Sequence, residues 1–388
     1  MSGGRAVALT ISRAEARRLM LGQAGLLSMR PEAGREGVRS MLSALRCVQL
    51  DPLDPMGTNA DLVAMARVEG VGRGDIHRHA HPGAFEHFAK ERCLLPGSAF
   101  PYYRDKIAMT PWWRLGERLK RLSQGLIDEV LAEVEARGPV EAGALEDRGQ
   151  VRPLDWSGWK GTSKAASMAV EVLWTRCQIV VCGRSEGGRK LYDVPRRALP
   201  EVFDAPGGDF DRWALLERVE AAGMLSRASG PHWSMLSEVR TGPLVGELIE
   251  EGRIEEVEVE GSRRPYLIPA GALSRPFGEP DERLRILGPL DPLIWDRGLV
   301  EQAFGFEYLW EVYKPAQKRR WGWYVCPLLH RGAFVGRIEA RIKEGELAVE
   351  RLWVEAGAEL DLGELNRALE RHAAACGVGS RPVGGPTG

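Results

Sequence analysis

Apolar residues recur at helical spacing over the first fifty residues of this 388-residue chain. Ser12 and Glu15 have the spacing of a capping box, which predicts that a helix begins there and runs to about Leu21. A second amphipathic helix is predicted to end at Cys47 or Val48, because the apolar side chains before this point fall on one helical face.

An extended segment is predicted directly after this helix, since Pro52 disfavours helical geometry at the residue before it. Successive side chains of an extended segment point to opposite sides. Gln49 and Asp51 are therefore expected on one side, while Val48 and Leu50 point to the core.

Beyond residue 125 the same order of elements is predicted twice: two helices, then two strands joined by a turn. The first copy has helices at about 127–134 and 163–176, followed by strands on either side of the glycines at 187–188. The second copy has helices at about 213–221 and 244–250, then strands at 254–259 and 265–268. This order is that of the winged helix, a helix-turn-helix with a β-hairpin wing.

From about residue 284 the pattern changes to strands, and residues 337–342 alternate between charged and apolar side chains. The predicted fold class is α+β, with tandem winged-helix (helix-turn-helix) domains followed by a small C-terminal β-barrel. The predicted domains are three winged-helix domains at 8–125, 126–200 and 201–272, of which the first carries Gln49 and Asp51, a β-barrel with a basic aromatic hairpin at 280–356, and a C-terminal helix with a flexible tail at 357–388.

Residues 313–325 carry four cations and four large aromatic side chains, although the formal net charge of the chain is only −1. From residue 313 to 344 there are eight Lys or Arg against two acids. Such a cluster suits a polyanion that carries flat bases, because cations meet phosphates and rings wedge or stack. The alternative is a β-hairpin whose aromatic rings pack in the core while its cationic heads extend into water.

Composition indicates a soluble, cytoplasmic protein. Charged residues make up 28% and hydrophobic residues 44% of the chain, ordinary values for a globular protein. The six cysteines form no C-x-x-C pair, so reduced thiols and no structural metal are expected. The first ten residues lack the apolar core of a signal peptide, and no segment approaches the roughly 20 apolar residues that cross a bilayer.

Gln49 and Asp51 are the sharpest candidates for chemistry. An amide and a carboxylate on one side of the chain can hold a water molecule, which the amide orients and the carboxylate deprotonates. The carboxylate can also oppose a developing positive charge. The alternative is a solvated strand end, which is the commoner reason for an isolated Q-x-D.

Two further groups of residues could bind ligands. His77, His79 and His81 could converge on a metal, although a surface segment is the favoured interpretation because nearby Cys or acidic ligands are lacking apart from Asp75. Lys160 and Lys164, at the start of a predicted recognition helix, could contact phosphates or could belong to its solvated face.

The chain resembles the YcaQ/AlkZ-type bacterial DNA glycosylases. The resemblance is carried by residues 48–51 (Val-Gln-Leu-Asp), 287–297 (Leu-Gly-Pro-Leu-Asp-Pro-Leu-Ile-Trp-Asp-Arg), 304–308 (Phe-Gly-Phe-Glu-Tyr), 313–325 and 335–338. One departure is that relatives tend to carry tryptophan and histidine where Phe88 and Lys90 stand, which affects the expected lesion preference.

This resemblance implies a monofunctional DNA glycosylase that removes N-alkylated purines and unhooks interstrand crosslinks. It implies Gln49 and Asp51 as the catalytic Q-x-D, no metal or other cofactor, tandem winged helices with a β-barrel, and damaged double-stranded DNA as the partner. Contacts with DNA are expected from Lys318, Arg319, Arg320, Trp321 and Trp323, besides Lys160 and Lys164. A nucleoid-associated monomer without membrane contact is expected.

Two alternatives lack catalysis. Winged helices commonly read DNA in transcriptional regulators, so the chain could be a DNA-binding regulator. The substitution at Lys90 also allows a relative that binds damaged DNA without turning it over.

Overall fold

The computed structural model describes residues 9–107, 110, 112, 114–154, 161–262 and 264–384. The chain forms two compact units. Unit 1 comprises Met1–Ile76, Ala89–Cys93 and Ala214–Gly388, and unit 2 comprises His77–Phe88 and Leu94–Trp213. In the described part of the chain, every helix is too short or too polar to cross a membrane.

The first helix of unit 1, Arg13–Gln23, begins with the predicted capping box. Glu15 donates its N–H to Ser12 Oγ at 3.2 Å, and Ser12 donates its own N–H to Glu15 Oε2 at 2.8 Å. The second helix, Gly34–Leu45, ends earlier than predicted because Arg46 adopts a left-handed φ of 62°. Further helices of unit 1 are Asn59–Met65, Ser237–Thr241, Leu244–Glu250, Arg297–Phe304 and Leu362–Ala375.

One sheet of unit 1 contains the second predicted hairpin. Its four strands, in spatial order, are Leu9–Ile11, Ile254–Val259, Pro265–Pro269 and Leu225–Ser226. The first of these pairs in parallel with the second, which brings the N-terminal segment beside the hairpin. Residues of the helix Arg13–Gln23 and of this sheet share one hydrophobic core with residues up to Phe334.

The C-terminal sheet of unit 1 confirms the predicted change to strands. Its five strands, in spatial order, are Arg285–Ile286, Val325–His330, Ala333–Lys343, Glu346–Val354 and Gly379–Ser380. Within the described residues the first and last strands do not pair, so the sheet is a half-barrel rather than a closed barrel. Register shifts at Leu328/Leu329 and Glu339/Ala340 bend it. The helix Leu362–Ala375 packs in its core.

The predicted basic aromatic hairpin at 313–325 is wrong. These residues form a loop with one 3₁₀ turn, Ala316–Lys318, which leads into the strand Val325–His330. The backbone N–H groups of Arg320, Trp321 and Trp323 bond to side-chain carboxylates instead of to a neighbouring strand. A cluster of aromatic and cationic residues therefore does not mark a strand here.

Unit 2 contains the first predicted helix–helix–hairpin order around its own core. Its helices are Phe100–Ile107, Leu115–Leu119, Gln124–Arg137, Ala165–Thr175, Pro195–Ala198 and Pro200–Phe203. Its strands are Ala84–Phe88, Val140–Glu141, Gln150–Val151, Ser163–Lys164, Val180–Arg184 and Lys190–Asp193. Three elements contain a boundary between the units: helices Asp75–Ala80 and Phe210–Ala222, and strand Arg92–Pro96. The division into three winged-helix domains stays a prediction.

The segment around His87 and Lys90 forms a strand and a turn. His87 lies in the strand Ala84–Phe88, and Lys90 lies in the turn that follows. Residues 84–87 are all buried, so the strand is covered on both faces and lacks the alternation that identifies a strand in sequence.

The histidines of the segment 77–81 do not form a metal site. In the described residues, no group of three or more His, Cys, Asp or Glu side chains could hold a metal ion. His81 is buried, so the interpretation as a surface segment is wrong for this residue. Burial lowers the pKa of His77 to about 3 and that of His81 to about 4, although Glu86 opposes the change.

Candidate active site

A cleft of about 730 Å³ in unit 1 is lined by both Gln49 and Asp51. The rest of its wall comes from Leu50, from residues 90–92, from the segment 226–231, from Arg264, from parts of the segment 289–298, and from Trp310 and Tyr313. The structure thus places the two candidate catalytic side chains on one cleft. Leu50, which was expected to point to the core, lines the same cleft, so the segment does not show the strict alternation of an extended strand.

Gln49 is held by its backbone, whereas its side-chain oxygen lacks a partner. Its carbonyl accepts a hydrogen bond from Asn59 Nδ2 at 2.9 Å, and the next residue, Leu50, donates its N–H to the Arg92 carbonyl at 2.8 Å. Among the described residues, no donor reaches the buried Gln49 Oε1. Buried carbonyl oxygens are normally hydrogen-bonded, so this atom is available to accept a hydrogen bond from a molecule in the cleft.

Asp51 is a partly buried carboxylate. Its Oδ1 accepts the N–H of Leu53 at 2.9 Å, which fixes the side chain against the backbone. Burial raises the pKa of Asp51, and the hydrogen bond from Leu53 lowers it by a smaller amount. The carboxylate therefore binds a proton more readily than an exposed aspartate does, which suits a general base.

Asn59 joins the short strand Val48–Gln49 to Leu290, which lies 231 positions after Asn59 in the chain. Its Nδ2 bonds to the Gln49 carbonyl, and its Oδ1 accepts the N–H of Leu290 at 2.9 Å. A Cβ atom at Gly288 would lie 2.4 Å from Asn59 Oδ1, so this close approach requires glycine. The residues of the C-terminal motif thus position Gln49 through one buried amide.

A buried ion pair anchors the same C-terminal segment. Arg67 and Asp291 are both fully buried and form two hydrogen bonds of 2.8 Å, one from each terminal nitrogen of the guanidinium. Arg67 also donates to the carbonyls of Ala24 at 2.7 Å and Val63 at 3.0 Å. The roles of Asn59 and Arg67 could not be predicted from sequence, because an isolated Asn or Arg gives no sign that its partner lies far along the chain. Asp291 belongs to the motif 287–297, but the motif did not indicate its ion pair.

Lys90 and Trp295 form another part of the cleft wall. Lys90 Nζ lies 4.8 Å from the centroid of the Trp295 ring. The ring itself is held by a hydrogen bond of 2.8 Å from Trp295 Nε1 to the Leu290 carbonyl. The residue that departs from the family pattern therefore lies on the same cleft as Gln49 and Asp51.

The basic loop 313–325 is organised by the buried carboxylate of Glu311. Glu311 accepts the N–H groups of Arg320 at 3.1 Å and Trp321 at 2.8 Å, and it pairs with Lys314 Nζ at 2.9 Å. Burial by itself would raise the pKa of Glu311, but these three donors outweigh burial and lower it. The conformation of the loop is therefore fixed by hydrogen bonds to a buried side chain.

A second carboxylate, Glu339, holds the end of the loop. It accepts the N–H of Trp323 at 2.7 Å and the N–H of Tyr324 at 3.3 Å. A Cβ atom at Gly322 would lie 2.5 Å from Glu339 Oε2, so glycine is needed for this close approach.

The aromatic residues of the loop differ in exposure. Trp321 is packed between the guanidinium groups of Arg337 and Arg320, at 4.0 and 4.7 Å from its ring centroid, and meets Trp353 edge-on at 5.7 Å. Tyr313 is 85% exposed and lines the cleft of Gln49 and Asp51. The sequence alone did not distinguish Tyr313 from the other aromatic residues of the run 313–325. Its place at the start of the run is the one sequence feature that indicated a role in binding.

The model of the family described as DNA glycosylase AlkZ-like matches residues 42–377. The chain belongs to this family. A solved structure, the DNA glycosylase AlkZ of Streptomyces sahachiroi, is similar to this AlkZ-like protein over 97% of this chain and 100% of that one, with a TM-score of 0.58 and 18% identity. At this identity the likeness shows the fold. The family resemblance seen in the sequence is confirmed, and the protein is a DNA-repair glycosylase that acts on DNA.

The predicted DNA-binding cations of the loop 313–325 differ in their partners within the protein. Lys318 is exposed and forms no ion pair with another described residue. Arg319 Nε donates to the Lys314 carbonyl at 2.8 Å, and Arg320 pairs with Glu307 at 2.6 Å.

The predicted contacts near residue 160 fall in unit 2. Lys164 precedes the helix Ala165–Thr175, and its Nζ donates to the Gly143 carbonyl at 3.3 Å. Lys160 lies outside the described residues. A role of either lysine in DNA binding stays a prediction.

Gly288→Ala is expected to destabilise the AlkZ-like protein by about 1–3 kcal/mol, because overpacking displaces the buried Asn59 amide. Base release should fall as well, since Asn59 positions the Gln49 backbone. Thermal unfolding and a base-release assay on alkylated duplex would measure both. Gly246→Ala is the matched control, because its Cβ would meet nothing within 4 Å. Equal behaviour of the two variants would contradict the role of Asn59.

Proposed function

We propose that this AlkZ-like protein hydrolyses the N-glycosidic bond of N-alkylated purines, of the N7-alkylguanine type, in double-stranded DNA. We propose in addition that it unhooks interstrand crosslinks formed through such bases. The observation that supports the proposal is the meeting of an unpartnered Gln49 Oε1 and a partly buried Asp51 carboxylate on one cleft. The volume of about 730 Å³ lies within the range of pockets that take small ligands, so the cleft can take a nucleotide.

The chemistry of the lesion explains why two side chains can suffice. Alkylation at N7 makes guanine cationic, so the base leaves as a neutral molecule when the glycosidic bond breaks. Positive charge then develops on the sugar, in a transition state that resembles an oxocarbenium ion. A fixed carboxylate beside that charge stabilises it, and no metal or other cofactor is needed for this step.

Asp51 is proposed to stabilise the sugar cation and to accept a proton from the attacking water. Gln49 Oε1 would accept a hydrogen bond from this water or from the sugar and so orient it. Water is the nucleophile for base release, which is the monofunctional reaction predicted from the family resemblance.

The basic loop 313–325 is proposed to bind DNA. Lys318, Arg319 and Arg320 would contact phosphates, with Trp321 or Trp323 beside a groove. The exposed Tyr313 ring, at the edge of the cleft, is placed to stack on a base next to the lesion. We also propose that the protein is a monomer in the cytoplasm and associates with the nucleoid.

Lys318→Ala is expected to weaken DNA binding in the same way for every sequence and to flatten its salt dependence. Loss of one phosphate contact changes the slope of log K against log salt by about 0.9. Fluorescence anisotropy over a salt series would measure the slope. Lys343→Ala serves as control, because Lys343 is already paired with Glu350 at 2.6 Å. An unchanged slope would remove Lys318 from the DNA interface.

The proposed activity is tested with a duplex that contains 7-methylguanine. After incubation with the protein, alkali converts each abasic site to a strand break, and a crosslinked duplex tests unhooking in the same way. Strand breaks at the lesion are expected. A DNA-binding regulator would produce none, and a relative without turnover would bind the damaged duplex but release no base.

A further inference from the structure

The turn that carries Lys90 is held in place by two other side chains of unit 1. Arg218 Nη2 donates to the Ala89 carbonyl at 3.5 Å, and Ser234 Oγ donates to the Lys90 carbonyl at 3.3 Å. The Ala89 N–H closes the turn on the Glu91 carbonyl at 3.0 Å. The backbone of Lys90 is therefore anchored while its side chain lines the cleft of Gln49 and Asp51.

The amine of Lys90 is placed as a nucleophile would be. It lies 4.8 Å from the centroid of the Trp295 ring, and it forms no salt bridge with any described carboxylate. The ring is fixed to the Leu290 carbonyl, so it holds the Lys90 amine on one side of the cleft. A lysine that only stabilised the fold would be expected to bond to a carboxylate or carbonyl nearby.

The protonation of Lys90 suits nucleophilic chemistry. Burial lowers its pKa to about 8, and the charge of Arg297 adds to this effect while Cys93 and Glu91 oppose it. A lysine with this pKa carries an appreciable fraction of neutral amine at the pH of a cell, which an exposed lysine does not.

We propose that Lys90 is the nucleophile of a second activity, cleavage of the DNA strand at the abasic site through a Schiff base. The abasic sugar that remains after base release opens to an aldehyde at C1′, and this carbon would lie in the cleft that Lys90 shares with Asp51. The substrate of this second activity, the abasic site, is the product of the proposed base release, so in the cell the inference rests on the proposed function. The enzyme would then be bifunctional, unlike the monofunctional reaction that the family resemblance predicts.

The steps balance without a cofactor. The neutral Lys90 amine adds to C1′, and one proton taken up from solvent lets the C1′ oxygen leave as water, which forms a protonated imine; the same proton is returned when the imine is hydrolysed. A base removes one proton from C2′, and the electron pair of that C–H bond moves to form a C2′–C3′ double bond as the C3′–O bond breaks. The phosphate leaves with the 3′ part of the strand as a 5′-phosphate end. Water then hydrolyses the imine and regenerates Lys90. Asp51, on the same cleft, is placed to be the base.

The experiment uses the full chain and a duplex with one preformed abasic site, made by excising uracil, so that base release is not required. Sodium cyanoborohydride reduces the imine to a stable protein–DNA adduct, which is counted on a denaturing gel and mapped by mass spectrometry. In parallel, strand cleavage is followed without alkali and with EDTA present. An adduct on Lys90 and β-elimination products are expected, and Lys90→Arg should lower both rates at least tenfold.

Lys90→Arg is the informative variant, because arginine keeps the positive charge and can stack on Trp295, but it is not a usable nucleophile. Its unfolding temperature and its affinity for abasic duplex show whether fold and binding are retained, and Lys90→Met checks the result without a charge. An adduct that forms equally fast in Lys90→Arg, or that maps to another lysine, overturns the proposal. Base release from 7-methylguanine without trapping also overturns it but leaves the proposed function intact. Trapping of Lys90 without base release from 7-methylguanine would support the Schiff base on Lys90 but contradict the proposed glycosylase function.

Discussion

Asp51→Asn is expected to reduce the rate of base release from 7-methylguanine by about 10² to 10⁴-fold, the usual contribution of a general base or a fixed charge. Asparagine keeps the size of the side chain and can still accept the Leu53 N–H, so the fold should be preserved. Only the negative charge and the proton acceptor are lost. Single-turnover assays with saturating enzyme would measure the chemical step apart from DNA binding.

Gln49→Ala should cost less, about a hundredfold, because misplacing the water still leaves the carboxylate in position. Glu370→Gln, an exposed acid on the helix Leu362–Ala375, is the matched control for loss of one negative charge. If Asp51→Asn kept the wild-type rate while Glu370→Gln behaved identically, the catalytic assignment of Asp51 would fail.

The dependence on pH follows from the same carboxylate. Asp51 acts as the ionised form, and burial raises its pKa above the ordinary aspartate value of about 3.9. The rate of base release should therefore fall as the pH decreases through this raised pKa, and the acid limb should lie above pH 3.9 or so. A profile that stays level down to pH 4 would show that protonation of Asp51 does not control the step.

Local patterns in the sequence predicted the local structure. The capping box of Ser12 and Glu15 forms as expected, and the strands on either side of the glycine turn at 187–188 are present at Val180–Arg184 and Lys190–Asp193. These features depend on residues a few positions apart, so their physical causes are visible in the chain. The same local reasoning predicted that Gln49 and Asp51 share one side of the chain, and both line one cleft, but it did not predict that Leu50 lines this cleft as well.

Features that depend on distant partners could not be predicted in this way. Glu311 and Glu339 are buried and collect the N–H groups of the basic loop, yet in the sequence they resemble charged residues of a strand surface. For this reason the loop was predicted as a hairpin. Asn59 likewise gives no local sign of its contact with Leu290. The link between the motifs at residues 48–51 and 287–297 is therefore visible only in three dimensions.

Arg67→Met is expected to lower the free energy of unfolding of unit 1 by about 3–5 kcal/mol, the usual cost of removing one partner of a buried ion pair. Asp291 would remain fully buried, with the Leu293 N–H at 3.0 Å as its remaining donor among those described. The carbonyls of Ala24 and Val63 would also lose their guanidinium donor. Urea unfolding followed by tryptophan fluorescence would measure the loss.

The double variant Arg67→Met/Asp291→Leu separates the ion pair from the space it fills. Because it leaves no unpaired buried charge, it should be more stable than Arg67→Met alone, and the double-mutant cycle gives the coupling energy of the pair. Base release should remain impaired in both variants below their unfolding temperatures. The reason is that Asp291 directly follows Leu290, and the Leu290 N–H bonds to the Asn59 side chain, which in turn holds the Gln49 carbonyl. An Arg67→Met protein within 1 kcal/mol or so of the wild type, and with its full rate of base release, would show that this pair neither stabilises unit 1 nor positions the site.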